Sequence, residues 1–341
     1  FLIIIEVINN DKNLFMKEDI FLDSRGGYHP RKILDFDPIF VWPPKPKAFL
    51  AWLLKFPGYI WPWNLFYIAI AFISYYFFQP SMSSWSTFNL DWILIIFFRN
   101  VFLIILLASF WHTRFFILKS QDEKFKYNLA PLGKEKKAWF LGSQTKENIF
   151  WSVVSAAPIM TAYEVFVMWA FANDYLLFPM LNWIDTPILF CLIFLLIPVW
   201  QVFHFYVTHR ISHWKIFYKT FHFLHHRNVN TGPWSGLSMH PIEHVFYFST
   251  LLIHFVIPTH PVHFIFHIQQ TALRAIQGHS GYDQLVINKK SGYALPNASY
   301  FHYLHHKYFE CNYGELTIPL DKWFGSFHNG TKDSHKKLFK N

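Results

Sequence analysis

Apolar residues run along this chain in long blocks separated by polar stretches. Four blocks, 60–78, 92–112, 149–172 and 187–206, are each about 20 residues long. That length crosses about 30 Å of hydrocarbon at about 1.5 Å per residue. Trp61, Trp63, Trp111, Trp151 and Trp169 sit near block ends, as interfacial aromatics do. Two further runs, 245–257 and 262–276, hold only 13 and 15 residues and are separated by Pro258 and Pro261. They are short for full spans and predict a re-entrant or half-deep hairpin. Residues 1–59 mix charges with Pro43, Pro44, Pro46 and Pro57, and predict an irregular arm with a short interfacial helix near 47–56. The competing reading of this arm is a docking segment for a partner. Residues 280–341 are punctuated by Gly281, Gly292, Pro296 and Gly314 and predict a soluble cap. Within it Asn312-Tyr313-Gly314 reads as a turn, and Asp321 as a polar anchor or helix cap. The pattern predicts an all-α integral membrane protein. It divides into an arm (1–59), a transmembrane bundle (60–206), a histidine-rich helical cap containing the hairpin (207–330) and a basic tail (331–341).

Composition supports the membrane class. Of 341 residues 53% are hydrophobic and 21% aromatic. A net charge of +9 would suggest nucleic acid in a soluble chain, but the basic residues cluster beside apolar blocks, so the membrane surface is the better partner. The chain opens on Phe1, as expected where a start is missing or a leader removed. Residues 1–59 and 113–148 each hold eight Lys or Arg, whereas 79–91 and 173–186 hold none. The positive-inside rule puts the basic segments on the cytoplasmic or matrix side. Four crossings and a hairpin then leave every histidine cluster on that same face. Two charges fall inside the blocks. On this topology Arg99 and Glu164 lie roughly 10 Å and 12 Å from the outer face at about 1.5 Å per residue. An unpaired charge at such depth is expensive, so they are expected to face the bundle interior and pair. The alternative is that Arg99 snorkels outward and Glu164 bonds a hydroxyl such as that of Tyr163.

Sixteen of the 20 histidines fall within residues 204–306. They form His209-x-x-x-His213, His222-x-x-His225-His226, His240-x-x-x-His244 and His302-x-x-His305-His306, with His279 apart. Residues three and four apart share one helix face, so His209 with His213, His222 with His225 or His226, and His302 with His305 or His306 can each reach one ion. A lone histidine is usually a hydrogen-bonded core residue, but that reading does not produce two His-x-x-His-His clusters in one chain. Imidazole suits iron, copper, zinc or nickel. The two cysteines, Cys191 and Cys311, are far apart, which excludes a disulfide framework and a cysteine-based cluster. So many ligands suit two ions held close together. No Gly-rich dinucleotide fingerprint and no haem motif is present, so electrons for redox chemistry must come from outside.

At these residues the chain resembles the fatty acid hydroxylase superfamily, which includes sterol desaturases and C4-methylsterol oxidases. The resemblance rests on HRISH followed by HFLHH, on GPWSGLSMHPIEH leading through HPVHFIFH to GHSGYD, and on FHYLHHKYFECNYGELTIPLDKWFGS. It covers roughly residues 190–330, and no motif is placed in 1–147. It implies a histidine-held di-iron centre that uses O2 to hydroxylate or desaturate a lipid, sterol or fatty-acyl C–H bond. Zinc can stand in for iron in purified protein. It also implies an external donor such as cytochrome b5 and residence in the endoplasmic reticulum, with the mitochondrial inner membrane as the alternative. His209, His213, His222, His225, His226, His302, His305 and His306 rank first as ligands, with His279 next. His240 and His244 are weaker candidates, and Pro241 places His240 at a helix start. Glu243 and Asp283 are candidates to orient a ligand imidazole; Asp283 stands where some relatives carry another histidine, which leaves the ligand count open. His204, His254, His260, His263 and His267 read as packing or interfacial residues. Two other classes compete: a non-catalytic accessory subunit of a larger membrane assembly built on the same fold, and a histidine-rich metal transporter. The latter is weaker because the clusters lie at one membrane face.

Overall fold

The computed structural model describes residues 20–22, 27–30, 33–134 and 137–339. A short antiparallel pair, β1 (Ile20–Leu22) and β2 (Tyr28–Pro30), precedes helix α1 (Pro46–Leu54). Four helices follow that are long and apolar enough to cross a membrane: α2 (Ile60–Phe78), α3 (Leu90–Ile117), α4 (Gln144–Ala172) and α5 (Pro187–Ser212). Asn89 starts α3 by accepting the Asp91 N–H at 2.9 Å, and Pro187 starts α5 where no N–H is needed. Outward faces stay apolar along these helices: Phe77, Phe98, Phe102, Leu106, Ile188 and Leu196 are exposed. That is the surface lipid would cover.

The core of the bundle is a helix formed by the second of the two apolar runs that are short for full spans. A helical hairpin is formed by α7 (Pro241–Phe248), extended as a 3-10 turn over Ser249–Phe255, and α8 (Pro261–Gly278). Every residue of α8 except Arg274, Ala275 and Gly278 is buried, and α8 packs on all four long helices. Its tip reaches the far end of the bundle. There the Leu177 N–H donates to the Phe255 carbonyl at 3.0 Å and the Leu181 N–H to the Thr259 carbonyl at 2.9 Å. Counting apolar residues shortens this hairpin because both legs continue through polar residues at the histidine end, Pro241–His244 in α7 and Gln277–Gly278 in α8. Gly236, in the 3-10 turn Pro233–Leu237, lets that loop lie against α8; a Cβ there would clash with the Ala275 carbonyl oxygen.

Several polar groups inside the bundle are paired. Arg99 Nη2 donates to Glu164 Oε1 at 2.6 Å, with both side chains buried, and Asn100 Nδ2 donates to Glu164 Oε2 at 3.1 Å. His254 bonds Thr259 at 2.9 Å and His267 at 3.1 Å. His263 bonds the Phe190 carbonyl at 2.9 Å, and His204 the Ser249 hydroxyl at 2.9 Å. His260 caps α8, accepting from the Val262 N–H at 3.2 Å.

The two ends of the bundle differ in charge. The basic 113–148 segment packs on the cap, with the Tyr127 N–H bonded to the Gly281 carbonyl at 3.0 Å and Gln144 Nε2 to Asn228 Oδ1 at 2.9 Å. The uncharged-by-lysine connections 79–91 and 173–186 meet at the other end, where Asn173 Nδ2 donates to the Ser86 carbonyl at 3.2 Å. The cap consists of α6 (residues 215–226), the antiparallel pair β3 (Gln284–Asn288) and β4 (Tyr293–Pro296), α9 (Tyr300–Tyr308), α10 (Leu320–Trp323) and α11 (Lys332–Leu338). The small strand pairs are not part of the all-α expectation, and the fold is mostly helical. Asp321 holds the Asn312-Tyr313-Gly314 turn, accepting from the Tyr313 N–H at 2.9 Å, the Gly314 N–H at 2.8 Å and the Ser326 hydroxyl at 2.6 Å.

Candidate metal centre

Nine imidazoles converge where α5, α6, α8 and α9 meet. Those of His209, His213, His222, His226 and His305 form one group, and those of His225, His279, His302 and His306 a second. Within each group one ring nitrogen per residue lies within 4.8 Å of all the others. His209 comes from the last turn of α5, with His213 just past it. A π turn over Tyr218–His222 inside α6 turns His222 toward His213 and His226. His279 caps the end of α8, and His302, His305 and His306 lie on α9.

The nitrogens stand as ligands of a shared ion would. In the first group His213 Nε2 lies 3.0 Å from His222 Nε2, 3.1 Å from His226 Nε2 and 3.2 Å from His305 Nε2. In the second, His279, His302 and His306 hold their Nε2 atoms 3.1 Å apart in all three pairings. Ligands about 2.1 Å from an ion and about 90° apart would be separated by about 3.0 Å. Several of the opposite ring nitrogens are fixed by acceptors. His209 Nδ1 bonds the Tyr313 carbonyl at 2.7 Å, His305 Nδ1 the Cys311 carbonyl at 2.6 Å and His279 Nδ1 the Ala275 carbonyl at 2.8 Å. With Nδ1–H donating, Nε2 presents a lone pair, and several lone pairs then face one another at contact distance. A cation resolves that conflict, and hydrogen bonding alone does not. The donor set therefore fits two imidazole-preferring ions.

Burial tunes the same rings. It holds His213, His222, His225, His226, His302, His305 and His306 well below the ordinary imidazole range, with neighbouring imidazoles adding to the effect. His279 is pushed down to about 4. These rings are neutral at pH 7, the form that ligates. The buried Cys311 thiol is raised far above its usual value by burial, so it stays protonated and only its backbone carbonyl serves the site.

The remaining candidates sit around the groups. Glu243 Oε1 bonds His222 Nδ1 at 2.8 Å. Asp283 is engaged instead by the Tyr127 hydroxyl at 2.7 Å. His240 caps α7, accepting from the Ile242 N–H at 3.2 Å, and His244 Nδ1 bonds the Ser155 hydroxyl at 2.8 Å. Neither joins a ligand group, nor do His204, His254, His260, His263 and His267. Replacing Glu243 with leucine is expected to weaken metal affinity by roughly 10–100-fold, since it frees a ligand ring from its orienting acceptor. Chelator competition on the folded protein measures this, and wild-type retention would remove Glu243 from the site.

A cavity of about 420 Å³ opens beside the second group and touches His225, His279 and His302. It runs between α2, α5 and α8, and Trp52 and Tyr59 of the arm close one side. The Tyr59 hydroxyl donates to the Leu195 carbonyl at 2.6 Å, one turn before Pro198 in α5. Reading the sequence missed the polar members of this cavity: Gln270, the Arg274–Glu315 ion pair, and Gln277, which accepts from Tyr67. The signal was present as Gln269-Gln270 and Arg274 inside an otherwise apolar run.

Residues 194–326 match the family model for fatty acid hydroxylases. The match supports the fatty acid hydroxylase superfamily for this part of the chain. The chain is similar to the Delta(7)-sterol 5(6)-desaturase of Candida glabrata, at 28% identity over 125 residues, covering 36% of this chain and 32% of that protein. It is 29% identical over 128 residues to the same-named protein of Eremothecium gossypii, covering 37% and 34%. With that of Saccharomyces cerevisiae it shares 28% identity over 125 residues, covering 36% and 32%. The match spans about a third of the length of these relatives. No solved structure matches.

Proposed function

We propose that this protein is a membrane-embedded di-iron oxidoreductase that hydroxylates or desaturates a C–H bond of a lipid or sterol with O2. The observation that carries the reading is the split of nine imidazoles into two ligand groups, one of which opens on a cavity of about 420 Å³. The relatives' names support a sterol-like substrate. When bound, iron in such a setting supplies O2 activation and an oxidant for unactivated C–H bonds. The chain's own residues do the rest. The carbonyls of Tyr313, Cys311 and Ala275 and the Glu243 carboxyl hold the imidazole planes. The cavity walls present the substrate to the side of the site that carries His225, His279 and His302. Electrons come from a separate donor such as cytochrome b5, as the family resemblance implies.

The lysine-free end of the bundle and the basic end support an orientation with the histidine cap toward the cytoplasm. The helical hairpin then enters from that face and returns to it. By the family resemblance the membrane is that of the endoplasmic reticulum.

Elemental analysis of gently purified protein is expected to find two transition-metal ions per chain, iron when iron is supplied. O2-dependent conversion of a sterol or lipid should follow when cytochrome b5 and its reductase are added. Trace metal only, in protein that is folded by thermal unfolding, would sink the reading.

A further inference from the structure

Gln270 lies fully buried on α8, lines the cavity, and has no hydrogen-bond partner for either Oε1 or Nε2 among the described residues. The carboxamides around it each make at least one hydrogen bond. Gln269 donates to the Ser74 hydroxyl at 2.8 Å, Gln277 accepts from Tyr67, and Gln201 accepts from the Thr271 hydroxyl at 3.1 Å. Leaving both ends of a buried amide unmade is costly, and leucine would fill the same space without that cost. A ligand that completes the amide accounts for its presence.

The chemistry of that ligand follows from the groups nearby. A carboxamide offers an acceptor and donors in one plane. A hydroxyl is its complement, because it both donates and accepts. Away from the imidazoles, the cavity has no surplus positive charge to receive an anion. Arg274, one turn along α8, is held in an ion pair by Glu315, and the other charged group lining the wall, Asp37, is acidic. A carboxylate or phosphate would have to part Arg274 from Glu315 and face Asp37. A cation would meet Arg274. Along α8, Gln270 stands eight residues before Gly278, roughly 12 Å at about 1.5 Å per residue, so it serves the end of the cavity away from the imidazoles.

We propose that Gln270 binds the uncharged hydroxyl of a lipid held in this cavity, and so selects hydroxylated lipids over acidic and phosphorylated ones. The proposal rests on the lipid-oxidation reading for the identity of the cavity.

The test is equilibrium binding to the full chain in detergent, with two skeletons carrying three heads each. One set is hexadecanol, its methyl ether and palmitate; the other is cholesterol, its methyl ether and cholesterol sulfate. On at least one skeleton the wild type is expected to bind the alcohol about tenfold tighter than the ether or the anion. Gln270→Leu should lose that preference while keeping its affinity for the ether, with a melting temperature equal to or above the wild type. Gln270→Met serves the same purpose if the leucine variant does not fold. Equal binding of all heads on both skeletons, preference for the anion, no saturable binding of either alcohol, or a preference that survives both substitutions would overturn the proposal. Metal content and O2-dependent turnover are measured separately on the wild type. An active enzyme indifferent to the hydroxyl defeats the role of Gln270 alone, and a hydroxyl-selective protein without metal or turnover defeats the oxidation reading alone.

Discussion

Replacing His305 or His225 with alanine is expected to abolish O2-dependent turnover and leave at most one metal ion per chain. His305 belongs to the five-histidine group, with its Nε2 at 3.1 Å from His226 Nε2 and 3.2 Å from His213 Nε2. Its other nitrogen is already committed to the Cys311 carbonyl. His225 belongs to the second group, where its ring centroid lies 4.7 Å from that of His306 and 5.2 Å from that of His279. Loss of an orienting partner typically costs 10–100-fold in metal affinity, so loss of the ligand itself should exceed about 100-fold. His263→Ala is the contrasting variant. Its ring is packed between Phe190 and Phe194 and bonded to the Phe190 carbonyl, so it should cost stability and leave the metal count unchanged. Metal per chain, turnover and melting temperature, read on all three variants, decide the matter. A His263→Ala protein as empty of metal as His305→Ala would show that ligand and packing histidines have been divided wrongly.

Removing one member of the Arg99–Glu164 pair is expected to cost about 3–5 kcal/mol, because the other charge is then buried without its partner. Arg99→Leu and Glu164→Leu should each show this loss in detergent unfolding. The double variant should be more stable than the sum of the two losses implies, since it leaves no orphaned charge. Recovery will be incomplete. Asn100 also donates to Glu164, and Gln79 Oε1 accepts from Arg99 Nη1 at 2.5 Å, so both amides lose a partner. If Arg99 instead reached the interface on its own, each single variant would cost under about 1 kcal/mol and the two effects would add.

How much of this was legible in the linear chain depended on the range of the interaction. The four long helices could be read directly, because spanning length is a property of one uninterrupted apolar segment. The histidine clusters could be read too, since residues three or four apart share a helix face wherever the helix ends up. The hairpin was harder. Its helix α8 is the most enclosed in the fold, yet its apolar run is short, because several of its polar residues are bonded to α2 and α5 and not to water. Arg274 was hidden in the same run; its partner Glu315 lies 41 residues on and reaches it only when the cap folds over.

The division of the ligands was beyond the sequence for the same reason. Spacing allowed His222 to share an ion with His225 or with His226, and His302 with His305 or with His306. The fold places His222 with His226 and His302 with His306, and sends His225 and His305 to opposite groups. Neighbouring residues on a helix point about 100° apart, so each His-His pair straddles two sites once another helix supplies the facing ligands. Local spacing determined that these imidazoles could bind metal. Only the closing of α5, α6, α8 and α9 around one point determined which of them meet, because that choice is made by contacts between segments far apart in the chain.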